Sequence, residues 1–288
     1  MRSSHDILIA MPLIYCDHNF VVTSSQGPEG YKDHLRQLSQ TGTVTFVLSP
    51  MHWVDAGEDA NAARGIAAAD FMDSLHPRWM YYRTTVQRKE VADALYRFTR
   101  IPADSPQMIV DICDVIADLA GIRAHRDSRA FVTLLRTVGP DHPLRKNLRQ
   151  AFETNGKNTE QFHAGKFTFA MAQKIERLYV EQLLPDATPG GILIDATSKE
   201  QFLSGCQLTD LPSITLENKA TQDNWHHMRK LNENNFIDQQ HLIALPYVDF
   251  FITDDRGLRN LIGRISAGMP FRTATVLTKA EFDVRYPA

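Results

Sequence analysis

Two short apolar runs, one near each end of the chain, stop on aspartate and carry the residues best suited to chemistry. Residues 13–16 run into Asp17, and residues 250–253 run into Asp254 and Asp255. Apolar runs of this length are typical of buried strands. Ligands of open α/β sheets bind beyond the carboxyl ends of the strands, so we expect these carboxylates to share a pocket. Such a pocket is stable only if a metal ion or strong hydrogen bonds compensate its charge.

Further carboxylates occupy predicted helix starts near the same sheet edge. Asp55 and Glu58 share one helix face after the second predicted strand, and Asp238 lies near the start of the helix before the late strand. Carboxylate oxygens suit Mg²⁺ and Mn²⁺, and one or two such ions can promote phosphodiester cleavage. We therefore predict a Mg²⁺ or Mn²⁺ site in which either Asp55 or Glu58 provides the second acid. The predicted metal ligands are Asp17, Asp55, Glu58, Asp238, Asp254 and Asp255, of which Asp17, Asp55, Asp238 and Asp255 are the predicted catalytic residues.

Each of these acids also has a purely structural explanation. Aspartates at strand ends and in first helical turns commonly cap the helix or interact with its dipole. Of the late pair, we expect Asp254 to be the helix cap and Asp255 to be the better ligand. His18 and His52 lie close to the predicted site in sequence, but surface or core positions are favoured for both. The acids are therefore informative as a set rather than singly.

Strands and helices alternate at both ends of the chain, whereas helical periodicity dominates residues 84–231. One helix is predicted from residue 50 to residue 75, and a helix entrance is favoured over a strand at residues 192–195. We expect an α/β fold in which residues 1–83 and 232–288 form a parallel sheet sandwiched by helices. Residues 84–231 would form a mostly helical block packed on that core. The predicted strands are residues 13–17, 43–48, 247–253 and 273–277.

Composition narrows the classes of function. The 288 residues carry a formal net charge of −3 and 43% hydrophobic residues, which is typical of a globular protein and unlike a strongly basic duplex-binding protein. The sequence shows no membrane-length apolar stretch, no signal peptide and only three, widely spaced cysteines, so we expect a cytoplasmic protein without a membrane partner. One basic stretch is explained by the solvated face of helices or, alternatively, by a weak contact with nucleic acid. Its residues are Arg123, Arg126, Arg129, Arg145, Lys146 and Arg149.

The order of the acids resembles that of the PIN-domain nucleases, which are metal-dependent and mostly ribonucleases. In that family the first strand ends in aspartate with a polar residue two positions on, as Asp17 and Asn19 do here. A second acid follows the second strand on a helix, and Asp55 and Glu58 both match this position. The sequence therefore does not decide which of these two residues is the second acid of the family pattern.

The late part of the chain extends the same resemblance. Asp238 matches the family's third acid, which opens the helix before the fourth strand, and residues 253–255 match the Thr-x-Asp that ends that strand. The resemblance covers roughly residues 13–75 and 232–284. It does not account for the helical middle block.

The resemblance implies a five-stranded parallel sheet with the acids at its carboxyl edge, and Mg²⁺- or Mn²⁺-dependent hydrolysis of a phosphodiester bond. Asp17, Asp238 and Asp255 would hold the metal directly, while Asn19 and Thr253 would orient acids or substrate. The implied substrate is RNA, cleaved internally, with single-stranded DNA as a second class. The alternatives are a non-catalytic PIN-like scaffold protein and a metal-dependent nucleotide phosphohydrolase. The sequence leaves open whether a second copy of the chain or an inhibitor protein binds.

Overall fold

The computed structural model describes residues 11–58, 61–120, 143–206, 210–227 and 233–288, which form an α/β fold. In these ranges the strands are β1 (Leu13–Cys16), β2 (Thr45–Leu48), β3 (Arg78–Met80), β4 (Ile109–Val110), β5 (Phe250–Ile252) and β6 (Thr275–Leu277). The helices are α1 (His18–Ser25), α2 (Glu29–Gln40), α3 (Met51–Glu58), α4 (Ala62–Ser74), α5 (Arg83–Thr99), α6 (Ile112–Ala120), α7 (Pro143–His163), α8 (Phe169–Leu183), α9 (Ala196–Gly205), α10 (Pro212–His226), α11 (Glu233–Gln240), α12 (Arg256–Ser266) and α13 (Lys279–Arg285). A 3₁₀ helix, His241–Ala244, follows α11.

The strands of the described ranges form one mixed sheet in the order β4-β3-β2-β1-β5-β6. From β3 to β6 along this order, every two neighbouring strands are parallel. The edge strand β4 is antiparallel to its neighbour β3. The chain moves outward from β1 to β3 on one side and resumes with β5 on the other side of β1. The strand order therefore reverses at β1, and the crevice beyond this switch point is where open α/β sheets bind ligands.

Both faces of the central strands are covered, which explains why their sequences are almost continuously apolar. Ile14 and Cys16 of β1 pack into a core formed with α1 to α4, α6 and α13. Tyr15, between them, packs on the opposite face into a core formed mainly by α10, α12 and the 3₁₀ helix. This alternation follows from the two-residue period of a strand.

The purely parallel sheet predicted from the sequence is wrong, because the middle block contributes β4 in the antiparallel direction. Arg78 of β3 reinforces this pairing by donating from Nε to the Val110 carbonyl oxygen at 3.1 Å. Strands of two and three residues, as β4 and β3 are, carry too little periodicity for a sequence pattern to reveal them.

The single helix predicted over residues 50–75 is also wrong, since α3 and α4 are separate helices. Asn61 starts α4, with its Oδ1 accepting the amides of Ala63 at 3.1 Å and Arg64 at 3.3 Å. The start of α3 agrees with its sequence, because the Ser49 hydroxyl oxygen accepts the Met51 amide at 3.3 Å. The interruption separates the helix that carries Asp55 from the one that covers the sheet.

The middle block has a core of its own, built from residues of α5, α8, α9 and α10. The helix favoured after residue 192 is confirmed as α9, with Asp195 Oδ1 accepting the Ser198 amide at 2.8 Å. Helical periodicity was also predicted for residues 121–142, which lie outside the described residues.

One buried carboxylate ties this block to the sheet. Glu90 of α5 accepts the Ser213 amide at 2.8 Å, the Ser213 hydroxyl at 2.7 Å and the Tyr247 hydroxyl. Burial raises the pKa of Glu90 to about 7, although these donors act to lower it. The three bonds connect α5, α10 and the segment before β5.

The contribution of this connection can be measured with Tyr247→Phe. The substitution removes one donor to a buried carboxylate, and we expect it to lower the free energy of unfolding by about 1–2 kcal/mol. Urea unfolding of the variant and the wild type at pH 7.5 measures the difference. An unchanged urea midpoint would show that the Tyr247 bond gives no net stabilisation.

Candidate active site

The two acid-tipped runs meet at the switch point of the sheet. β1 and β5 pair in parallel up to Cys16 and Ile252, and the Asp17 amide donates to the Ile252 carbonyl oxygen at 2.9 Å. Asp17 and Thr253 therefore leave the sheet side by side. The sequence prediction that the first and last acids share one sheet edge is confirmed by this pairing.

Hydrogen bonds hold the Asp17 side chain in place but offset only part of the cost of burying its charge. Its side chain is buried, Oδ1 accepts the Phe20 amide at 2.7 Å, and the Thr253 hydroxyl donates to the same carboxylate. Burial raises the pKa of Asp17 to about 6 despite these bonds, and the charge of Asp254 raises it further. Asp17 thus caps α1 and still carries a destabilised negative charge.

Asp238 lies in the same electrostatic environment. It is part of α11, which packs against α3, the helix that carries Asp55. Burial raises the pKa of Asp238 to about 6, and the charges of Asp55, Asp255 and Asp17 add to this rise, whereas His241 lowers it. The charges of the other three predicted catalytic acids therefore all act on Asp238.

A buried histidine, His241, compensates the negative charge of Asp55, the second predicted acid. His241 donates from Nε2 to Asp55 Oδ2 at 3.0 Å, and its Nδ1 lies 2.6 Å from the Tyr15 hydroxyl oxygen. Burial alone would lower the pKa of His241, but the bond and charge of Asp55 raise it above its usual value. Burial alone would raise the pKa of Asp55, but His241 lowers it. The two side chains form an ion pair.

The hydrogen-bond network continues beneath this ion pair. The Tyr15 hydroxyl lies 2.6 Å from the Ser49 hydroxyl oxygen. His52 Nδ1 accepts the Ser49 amide at 3.0 Å, and His52 Nε2 donates to the Cys16 carbonyl oxygen at 2.7 Å. Burial lowers the pKa of His52 to about 3, and the positive charge of His241 lowers it as well. His52 is therefore a neutral core histidine, as favoured from the sequence.

The helix cap predicted at Asp254 is wrong, because the cap is Asp255. Asp255 is the cap of α12, with Oδ1 accepting the Leu258 amide at 2.6 Å. Asp254 is exposed and accepts the Lys279 amide at 3.0 Å. The first helical residue is Arg256, so the position immediately before it, not the one earlier, has the geometry of a cap. The charge of Asp255 adds to the raised pKa of Asp238.

Other predicted residues lie elsewhere or cannot be placed. Asn19 is exposed in the first turn of α1, where the amide that bonds Asp17 is that of Phe20. Lys146 and Arg149 are exposed on α7. The remaining members of these sets have side chains outside the described residues: Glu58, Arg123, Arg126, Arg129 and Arg145.

The donor set fits a hard divalent cation. Oxygen ligands suit Mg²⁺ and Mn²⁺, and the pKa values of Asp17 and Asp238, which burial raises, show two carboxylates whose ionised form a bound cation would stabilise. Among the described side chains, no group of three or more acids, histidines or cysteines is already arranged to hold a metal. Mg²⁺ commonly uses one or two carboxylates and retains several waters, and the site fits this mode of binding.

Sequence reasoning missed the supporting network. Tyr15 is a polar side chain in an otherwise apolar strand, and His241 lies three residues after Asp238; these are the only local signals. The contacts join residues 226 positions apart for Tyr15 and His241, and 186 positions apart for Asp55 and His241. Separations of this size are visible only once the chain is folded.

Comparison with protein-family models, with curated proteins and with solved structures gave no match. Within the part of the chain that the structure describes, no helix has both the length and the apolar character needed to cross a membrane. Fold and site together define an α/β protein with aspartates at the ends of two paired strands at the switch point of its sheet.

Proposed function

We propose that this protein is a PIN-like, Mg²⁺- or Mn²⁺-dependent nuclease that hydrolyses phosphodiester bonds within RNA. The observation that carries the proposal is that Asp17 and Asp255 follow paired parallel strands at the carboxyl edge of the sheet, where burial raises the pKa values of Asp17 and Asp238 and the charges of neighbouring aspartates add to the rise. The run of five parallel strands, β3-β2-β1-β5-β6, supports the PIN-like core.

The protein side chains have distinct tasks in this proposal. One or two of Asp17, Asp238 and Asp255 would hold the cation together with waters, and the bound cation would neutralise charge on the phosphate and activate water. The Thr253 hydroxyl and the Phe20 amide orient Asp17. His241 orients Asp55 and compensates its charge.

The test is cleavage of a 5′-labelled single-stranded RNA by the purified chain with Mn²⁺, with Mg²⁺ and with excess EDTA. We expect internal cleavage products with either ion and none in EDTA. Persistent cleavage in EDTA would contradict the proposal. Release of inorganic phosphate from nucleotides without chain cleavage would instead favour a phosphohydrolase, and the absence of both activities would favour a scaffold protein.

His241→Gln tests the positioning role of the buried ion pair. The glutamine keeps a donor but removes the positive charge that faces Asp55 and the contact with Tyr15. We expect RNA cleavage to fall by about 10- to 100-fold, as is usual for residues that orient metal-binding groups. We also expect the Mn²⁺ concentration for half-maximal rate to change.

The matched control for this experiment is His34→Gln. His34 is a histidine of α2 whose Nε2 lies 2.9 Å from the Tyr286 carbonyl oxygen, away from the acids. The control is expected to cleave RNA at the wild-type rate. Equal activity of the two variants would remove His241 from the site.

A further inference from the structure

The exposed apolar side chains of the described residues are concentrated in the middle block. Nine large apolar side chains are exposed in the described ranges, and six of them lie between residues 169 and 193. Single exposed apolar residues are normal, whereas a concentration of them in one part of the surface marks an interaction site. The hydrolysis proposed above uses none of the six. They are Phe169, Met171, Ile175, Leu178, Ile192 and Leu193.

Three of these residues form a stripe along α8. Met171, Ile175 and Leu178 follow one another at intervals of four and three residues, and their exposed fractions lie between 47% and 50%. Alternating intervals of three and four residues place side chains on one face of a helix and are typical of the seam between two paired helices. We call Met171, Ile175 and Leu178 the α8 stripe.

A different face of α8 attaches the helix to the protein. Val180 and Leu183 are buried in the core of the middle block, and the Tyr179 hydroxyl lies 2.5 Å from Gln87 Oε1 of α5. These contacts already fix α8 as a helix. A partner that binds the α8 stripe would not have to order it, and association is favoured when the binding surface is ordered in advance.

Two opposite charges lie beside the α8 stripe. Lys174 and Glu181 are exposed and seven residues apart, so that two helical turns bring them to the same side of α8. Arg177 of the same helix is paired with Glu200 at 2.7 Å. Lys174 and Glu181, by contrast, have no ion-pair partner within the described ranges. The side of the stripe that carries them therefore presents one available positive and one available negative charge.

We propose that the α8 stripe binds the α8 stripe of a second copy of this chain, with the two helices antiparallel about a twofold axis. The axis would pass between Ile175 and Leu178, so that Ile175 of each copy packs on Leu178 of the other. Reversing the helix direction also brings Lys174 of each copy within reach of Glu181 of the other, which gives two equivalent ion pairs. A parallel pair would instead place Lys174 level with Lys174. A twofold interface requires a surface that is complementary to itself, and the antiparallel pair meets this requirement.

The length of α8 indicates the strength of the association. Its 15 residues span about 22 Å at 1.5 Å per residue, so the contact is at the small end of the range of protein interfaces. We expect a reversible dimer with a dissociation constant on the order of 10 μM. Sedimentation equilibrium of the full chain, from about 1 to 300 μM, covers this affinity. A chain that remains monomeric over the whole range would overturn the inference.

Leu178→Glu tests whether the α8 stripe forms the interface. We expect the dissociation constant to rise about tenfold or more, because apolar contact is lost and a carboxylate enters the interface. Val284→Glu is the matched control, since Val284 is 83% exposed on α13, and it should associate as the wild type does. Circular dichroism compares the folds of the variants. Dimerisation that survives Leu178→Glu would overturn the inference.

Two surface variants test the antiparallel arrangement without altering the apolar contact. Lys174→Glu and Glu181→Lys each place like charges at both proposed ion pairs, so each variant alone should associate more weakly than the wild type at low ionic strength. An equal mixture of the two variants should recover association, because one copy then carries two acids and the other two lysines. A mixture that associates no better than the single variants would overturn the arrangement. Association is measured without RNA, so the result is independent of the proposed nuclease function.

Discussion

Asp17→Asn and Asp238→Asn are each expected to lower metal-dependent RNA cleavage by about a hundredfold or more while leaving the protein folded. Residues that merely orient metal-binding groups contribute about 10- to 100-fold, so a carboxylate that holds the cation should contribute at least as much. Asparagine retains the shape of aspartate and the oxygen that accepts the Phe20 amide at position 17. Single-turnover rates in Mn²⁺ and Mg²⁺ measure the loss, and circular dichroism checks the fold.

The control for these variants is Asp104→Asn, since Asp104 is an exposed loop residue before β4. It should cleave RNA at the wild-type rate. Unchanged activity in Asp17→Asn would remove the first acid from the mechanism. Loss of both activity and the folded state in Asp17→Asn would show that Asp17 has a structural role. Asp238 is less buried than Asp17, so Asp238→Asn tests the loss of activity in a variant that should stay folded.

The same substitutions are expected to change how stability depends on pH. The pKa of Asp17 is raised from 3.8 in the unfolded reference to about 6 in the folded protein, so the folded state binds this proton more tightly. Ionisation then favours unfolding, and the free energy of unfolding falls as the pH rises from about 4 through 6. The loss from Asp17 should be on the order of 2–3 kcal/mol. It should be absent in Asp17→Asn.

Urea unfolding in EDTA at pH 4 and at pH 7.5 provides the measurement. The stability of Asp17→Asn relative to wild type should increase at the higher pH, because only the wild type must ionise the buried group. Glu90, with its pKa raised to about 7, contributes equally to both proteins and cancels in the comparison. Identical pH dependence of wild type and variant would contradict the raised pKa of Asp17.

Adding Mn²⁺ at pH 7.5 should reverse the effect. A cation that binds only the folded, ionised site stabilises it by mass action, so the melting temperature of the wild type should rise with Mn²⁺ concentration. Asp17→Asn should show a smaller rise or none. Together, these two results would show that the ionised carboxylates lower the stability of the metal-free protein and provide the site that binds the cation.

Much of the fold could be predicted from local patterns. The positions of four strands could be predicted from short apolar runs between turn signals: β1, β2, β5 and β6. The start of α9 could be predicted from the capping residue Asp195. The pairing of β1 with β5 was predictable too, because parallel strands joined by helices align their carboxyl ends. The sequence did not reveal β3 and β4, because strands of two or three residues leave too weak a pattern. It also did not reveal the break between α3 and α4, whose local signal is a single asparagine.

The types of chemistry present at the sheet edge were evident from residues near one another in sequence: Asp17 at the end of one apolar run and Asp254 and Asp255 at the end of another. Which late aspartate caps a helix and which acid has a charged partner depended on contacts across the fold. The charge of Asp55 is compensated by His241, 186 residues away. Hydrophobic periodicity and capping act over a few residues, whereas the charge balance of a buried carboxylate depends on whatever the folded chain places beside it.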